Sequence, residues 1–187
     1  MARSAPTGTA GSAVSAVRLF GHPLHPMLTA FPVAFWVGAS FWDLVGIVAT
    51  GEHWPRLAAW TLAAGVAMAV PALATGLLDF GRLPRVPRVE RLAFLHMMAM
   101  VSAWCAESAS LLMRRAWLLE ATPATSTPIS AVVLAATGVA LTLWGGWLGG
   151  ELVFGHAIAV EAGPEKPKEV VPGQEGPSTG TDLLVER

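Results

Sequence analysis

ISAVVLAATGVALTLWGGWLGG, running from Ile129 to Gly150, is 22 residues without one charged side chain. As a helix rising about 1.5 Å per residue it covers roughly 30 Å, the hydrocarbon thickness of a bilayer. Three more runs of 22 or 23 residues lie upstream: Met27 to Ala49, Leu57 to Leu78 and Leu92 to Met113. The second is also charge-free, the first holds only Asp43, and the third only Glu107 with His96. Pro32, Pro71, Gly138, Gly145 and Gly146 fall inside these runs, where membrane helices tolerate Gly and Pro better than water-soluble ones do. Four antiparallel crossings predict an all-α integral membrane bundle, a single transmembrane domain over residues 21–160.

Composition agrees. Of 187 residues 53% are hydrophobic and 13% charged, against about one quarter charged in an ordinary globular chain. Twelve Lys and Arg against thirteen Asp and Glu leave a net charge of −1, without the basic excess that nucleic-acid binding needs. The single cysteine, Cys105, excludes an internal disulfide framework and a multi-thiolate zinc site. Residues 1–20 lack the continuous apolar core of a cleaved signal peptide and read as a flexible or interfacial lead-in. Residues 161–187 mix Pro, Gly and charge without periodicity, as disordered tails do.

An even number of crossings puts both termini and the loop from Gly81 to Arg91 on one side. Near the membrane ends that side carries eight Lys and Arg, Arg187 at the end of the tail aside, and the other three, Arg56, Arg114 and Arg115. Positive charge stays inside, so the reading is a multi-pass protein of the bacterial cytoplasmic membrane with both termini cytoplasmic. Trp42, Trp54, Trp60 and Trp117 cluster toward the outer end as an aromatic belt, and Trp147 marks the inner end.

This topology gathers polar side chains. His22, His25, His96 and His156 all fall on the cytoplasmic side, together with Asp79 and Glu151; His53 alone lies opposite. In His22-Pro23-Leu24-His25-Pro26 each histidine precedes a proline, which holds the backbone extended until Pro26 opens the first helix with His25 at its cap. Two kinds of chemistry fit the cluster. Two histidines from different helices clamp a haem iron, or three histidines with Asp79 or Glu151 bind a transition metal ion such as zinc, copper or iron. The plainer alternative is that these are interfacial histidines bonded to carboxylates and lipid headgroups.

Asp43 and Glu107 lie at similar depth near the outer end, where they form an intramembrane acid pair or pair with Arg56, Arg114 or Arg115. Glu107 is three turns from His96 on one helix face, which suggests a proton or cation route. Gly138, Thr142, Gly146 and Gly150 recur every fourth position, with Gly145 and Gly149 as a neighbouring stripe, so a second backbone packs closely there, within the bundle or in a homodimer. Met97, Met98 and Met100 beside His96 read as packing material rather than copper ligands.

Gly21-His22-Pro23-Leu24-His25-Pro26, Phe31-Pro32, Trp42-Asp43-Leu44, His96, and Gly145-Gly146-Trp147-Leu148-Gly149-Gly150-Glu151-Leu152-Val153 ahead of His156 together resemble the bacterial "domain of unknown function 2231" membrane family over roughly residues 20 to 160. The resemblance implies a four-helix membrane domain, sometimes joined to a Rieske-type iron–sulfur domain, and therefore a redox neighbourhood. It carries over His22, His25, Asp43, His96, Glu151 and His156. The chain departs from the family at Ala157-Ile158-Ala159-Val160, where a Gly-Val-Gly-Val type ending is expected. Cys105 alone binds no cluster, so an iron–sulfur partner is a separate protein.

The expectation is a redox-associated membrane protein, an electron-transfer or cofactor-binding subunit more than an enzyme, whose His cluster binds haem b or a transition metal. Its rivals are a structural or assembly subunit without a cofactor and a small proton or cation transporter on Asp43 and Glu107. No internal repeat stands out along the chain, which counts against the transporter.

Overall fold

The computed structural model describes residues 15–49, 51–115, 118, 127–156 and 158. It is all-α apart from one two-residue hairpin. After β1 (Arg18–Leu19) and β2 (His22–Pro23) come α1 (Leu24–Val48), α2 (His53–Phe80), α3 (Pro87–Met113) and α4 (Ile129–Gly150), the last continued by a π-helical turn, Glu151–Gly155. All four helices are long and apolar enough to cross a bilayer, with mean hydropathies of 1.6, 1.8, 1.3 and 1.7 over their apolar windows. Their outer faces confirm the solvent: Leu44, Ile47, Val133, Leu143 and Trp147 are exposed, a surface that only lipid covers without penalty.

Alanine and glycine dominate the interior. Ala39, Ala58, Ala59, Ala103, Ala131 and Ala135 are buried almost completely, so the backbones pack through small side chains, as membrane helices do in the absence of a hydrophobic drive between them. Around Trp36 and Leu62 the core is larger and draws on all four helices. α1 packs most extensively on α2 and α3 on α4, as two antiparallel hairpins, with α2 against α3 and α1 against α4 closing the bundle.

The small-residue seam of α4 differs from the expected one. Buried Gly138, Thr142 and Gly145 carry it, with Gly149 at its end, while nothing lies within 4 Å of a Cβ at Gly146. At 3.6 residues per turn a strict four-residue stripe drifts off the contact face, and alternating steps of four and three stay on it.

The entry to α1 also differs. Phe20 and Gly21 both take positive φ, 49° and 85°, and form the two-residue turn between β1 and β2, paired Arg18 with Pro23 and Leu19 with His22. The helix begins at Leu24 with Pro23 as its cap, placing His25 and Pro26 inside the first turn. Proline is harmless there because the first N–H groups of a helix have no internal partner. Within the expected lead-in, residues 15–19 are docked: the Ser15 hydroxyl donates to Asp79 Oδ1 at 2.9 Å, the Ala16 N–H donates to the same carboxylate, and the Leu24 N–H donates to Val17 O at 3.0 Å. Residues 1–14, Trp117 and all of the expected tail, 161–187, lie outside the described residues.

Candidate functional site

His25 in the first turn of α1 and His96 in the third turn of α3 meet, with ring centroids 6.5 Å apart and ring planes at 84°. The Nδ1–H of His25 donates to Ala72 O at 2.8 Å, and that of His96 to Gly145 O at 2.7 Å. A carbonyl only accepts, so each ring carries its proton on Nδ1 and, when neutral, keeps a lone pair on Nε2. Glycine makes the seats. A Cβ at Gly76 would lie 2.7 Å from the His25 ring, and one at Gly149 3.0 Å from the His96 ring.

The wider cluster is not assembled, since among the described residues no three of His, Cys, Asp and Glu come together in a way that could hold a metal ion. His22 is turned out on the exposed hairpin. His156 donates from Nδ1 to Glu151 O at 3.2 Å, a contact within its own chain turn, and the Glu151 carboxylate faces Gly155. Asp79 is engaged by Ser15 and Ala16. His53 lies at the other end, against Trp54 at 4.4 Å, beside the stacked Trp42 and Trp54 rings at 5.7 Å.

At that other end the two acids do not pair with each other. Asp43 takes Arg114 in a two-pronged contact, Nη1 to Oδ1 and Nη2 to Oδ2, both 2.7 Å, with Arg114 0% and Asp43 4% exposed. Arg114 also donates from Nε to Ser110 Oγ at 3.2 Å and from Nη2 to Ala131 O at 3.3 Å, while Thr127 donates to Asp43 Oδ1 at 3.1 Å. Such a fork, with Nε and the second Nη2–H also bonded, joins α1 to α3 as a clamp. The sequence offered Arg114, beside Arg56 and Arg115, as a partner for the acids, and the structure selects it for Asp43. The available signal was the inward face of α3: Ala103, Glu107, Ser110 and Arg114 follow at steps of four, three and four, and all are buried.

Glu107 is the exception to this satisfaction. It is 0% exposed, and neither carboxyl oxygen has a hydrogen-bond partner among the described residues. Its carboxyl end rests where Gly138 leaves no room for a Cβ. Trp36 Nε1 and the hydroxyls of Ser40 and Ser108 are likewise buried with no partner among the described residues.

Arg114 and Asp43 are therefore a finished structural contact, whereas the two histidines present ligand-type nitrogens not used by any contact found between described residues. No curated protein and no solved structure matches the chain. The family described as "Predicted membrane protein (DUF2231)" matches residues 21–162, a stretch that takes in all four spanning helices, the histidine pair and the buried charges. This membrane protein belongs to that family.

Proposed function

We propose that the chain is a redox-associated subunit of the bacterial cytoplasmic membrane in which His25 and His96 hold one transition metal through their Nε2 atoms, as haem b or as a bare ion. The meeting of the two rings, each tied by Nδ1–H to a backbone carbonyl, carries this reading. Metal-bound histidines as a rule donate their other N–H to a carbonyl or carboxylate, which fixes tautomer and orientation. Two imidazoles on one metal at about 2 Å place their centroids roughly 6 Å apart, close to the 6.5 Å between these rings. Two donors, His25 and His96, would suit haem better than a bare zinc ion, which takes four ligands. Bound there, the metal supplies one-electron exchange, and the chain supplies two oriented ligands in an apolar surround. Arg82, Arg85, Arg88 and Arg91 at this end of the bundle support a cytoplasmic position for the pair. A separate Rieske-type iron–sulfur or other redox protein is the electron partner that the family resemblance favours.

Purified in mild detergent from cells supplied with haem precursors and trace metals, the protein is expected to show a haem absorption band that shifts on reduction, or stoichiometric bound metal by elemental analysis. His25→Ala and His96→Ala each remove it. A folded preparation that is colourless, metal-free and unresponsive to added hemin, copper or zinc overturns the reading and leaves an assembly subunit.

The orphaned carboxyl of Glu107 favours a second reading, a proton or cation route along the bundle, because an ionisable group inside a membrane costs stability and is kept for a task. Vesicles carrying the protein and a trapped pH dye are then expected to equilibrate faster than empty ones, and Glu107→Gln to abolish the difference. Equal rates with and without protein sink it.

A further inference from the structure

We infer that the bundle is one helical hairpin used twice, its halves related by a pseudo-twofold axis along the bundle that passes between His25 and His96 at one end and between Asp43 and Arg114 at the other. The contacts repeat with a fixed offset. His25 and His96 are 71 positions apart, and so are Asp43 and Arg114. His25 bonds Ala72 and sits on Gly76; His96 bonds Gly145 and sits on Gly149. Both pairs of second-helix partners are separated by 73 positions. In the middle of the bundle Trp36 fills the space over Gly65 and Glu107 the space over Gly138, again at offsets of 71 and 73.

Burial repeats for every buried residue of α1 and α4, while Pro55, Ala59, Val89, Ala93 and Ala99 of α2 and α3 are buried without a buried counterpart. Each of the four buried residues of α1 falls 71 positions before a buried one, from Pro32 with Ala103 to Asp43 with Arg114. Each of the six buried residues of α4 falls 73 positions after a buried residue of α2, from Ala58 with Ala131 to Thr75 with Leu148. Packing is symmetric too: α1 against α4 is the image of α3 against α2. The sequence keeps traces in Leu24-His25 and Leu95-His96, and in Ala63-Ala64-Gly65-Val66-Ala67 and Ala136-Thr137-Gly138-Val139-Ala140. The change of offset between the first and second helices hides the repeat from a linear reading.

Two consequences are chemical. The histidines are equivalent ligands, one from each half, so whatever they bind sits on the axis; this part rests on the metal reading above. The other end is complementary instead of identical. Two Asp or two Arg facing each other across the axis would repel in a low-dielectric interior, whereas Asp43 with Arg114 attract. That pair fixes which hairpin docks on which, and disfavours pairing of like halves from two chains.

The test exchanges the two seats in the full-length protein. Asp43→Arg and Arg114→Asp are each expected to lower the detergent melting temperature and move much of the protein into aggregates on size exclusion. The reciprocal exchange D43R/R114D, combined with A39S/S110A to carry the arginine's serine partner across the axis, is expected to recover most of both losses. An exchange no better than either single variant overturns the axis, and single variants as stable as the parent overturn the lock. A second measurement does not depend on refolding a swapped core. The indole N–H of Trp104 donates to Val66 O between α3 and α2 at 3.2 Å, so its images, Val33 and Val139, must adjoin between α1 and α4. In a Cys105→Ser background, Trp104→Cys/Val66→Cys and Val33→Cys/Val139→Cys are both expected to cross-link with a short bifunctional thiol reagent; linkage of the first pair alone overturns the symmetry. None of these readouts needs a bound metal, so a metal-free protein that passes them retains the repeat and loses only the redox reading.

Discussion

A methyl group added at Gly65 would lie 2.6 Å from Trp36 Cδ1 and 2.8 Å from its Nε1, whereas one added at Gly138 meets the carboxyl end of Glu107. The two glycines hold equivalent seats, yet their neighbours yield differently. Trp36 is rigid and 1% exposed, so Gly65→Ala forces an overpacked core and costs about 1–3 kcal/mol, of which the better helix propensity of alanine offsets about 1. At Gly138 the neighbour is the unbranched stem and carboxyl of Glu107 rather than a rigid ring, so a smaller loss is expected there. Thermal unfolding of both variants in one detergent checks this, and equal losses would mean that Glu107 is held as firmly as Trp36. Part of this contrast was legible in the chain. Glu107 stood out as the one carboxylate of the third apolar run, and Gly138 as part of a small-residue stripe; that the one sits in the gap left by the other depends on the registry of two helices, which periodicity alone does not fix.

The helices themselves were legible because hydrocarbon imposes a length: three expected spans lie within the observed ones, and the first overruns α1 by the single residue Ala49. What lies just outside a span was not. Arg114, named with Arg56 and Arg115 as a partner for the acids, lies just past the expected span and is nonetheless fully buried against Asp43, 71 positions earlier; no local pattern reports which of the three is drawn in. Part of the lead-in ahead of α1 illustrates the same limit: Ser15 and Ala16 carry no pattern of their own, and what docks them is a distant carboxylate, Asp79 at the end of α2. Hydrogen bonds to a charged acceptor contribute about 1.5–3 kcal/mol each when well shielded, and these are only partly buried. Asp79→Ala is accordingly expected to release residues 15–19 and raise tryptic cleavage after exposed Arg18 roughly tenfold, which is about 1.4 kcal/mol of local opening. Unchanged cleavage would mean that the hairpin and the Leu24 N–H to Val17 O bond hold the segment unaided.

For the whole molecule, a parallel pair of hairpins alters the weight of the functional readings. The lack of a visible repeat counted against transport, and a duplicated unit about an axis along the membrane normal is one of the architectures transporters use. The twofold also leaves the bundle with two unlike ends, histidine and arginine, and which end faces the cytoplasm decides whether the histidine pair meets cytoplasmic electron donors. Four spanning helices put the hairpin ahead of α1 and the α2–α3 loop on one side of the membrane and the α1–α2 loop on the other. The α2–α3 loop and the start of α3 carry Arg82, Arg85, Arg88 and Arg91, against Arg56 beside the α1–α2 loop, and cationic loops stay inside. In a Cys105→Ser background, Val86→Cys and Glu52→Cys place one thiol at each end, both at exposed positions. A membrane-impermeant maleimide added to intact cells stripped of their outer barrier is expected to label Glu52→Cys at once and Val86→Cys only after the membrane is opened. The reverse pattern would move the histidine pair to the outer face, and would replace a cytoplasmic electron partner by one on the far side of the membrane.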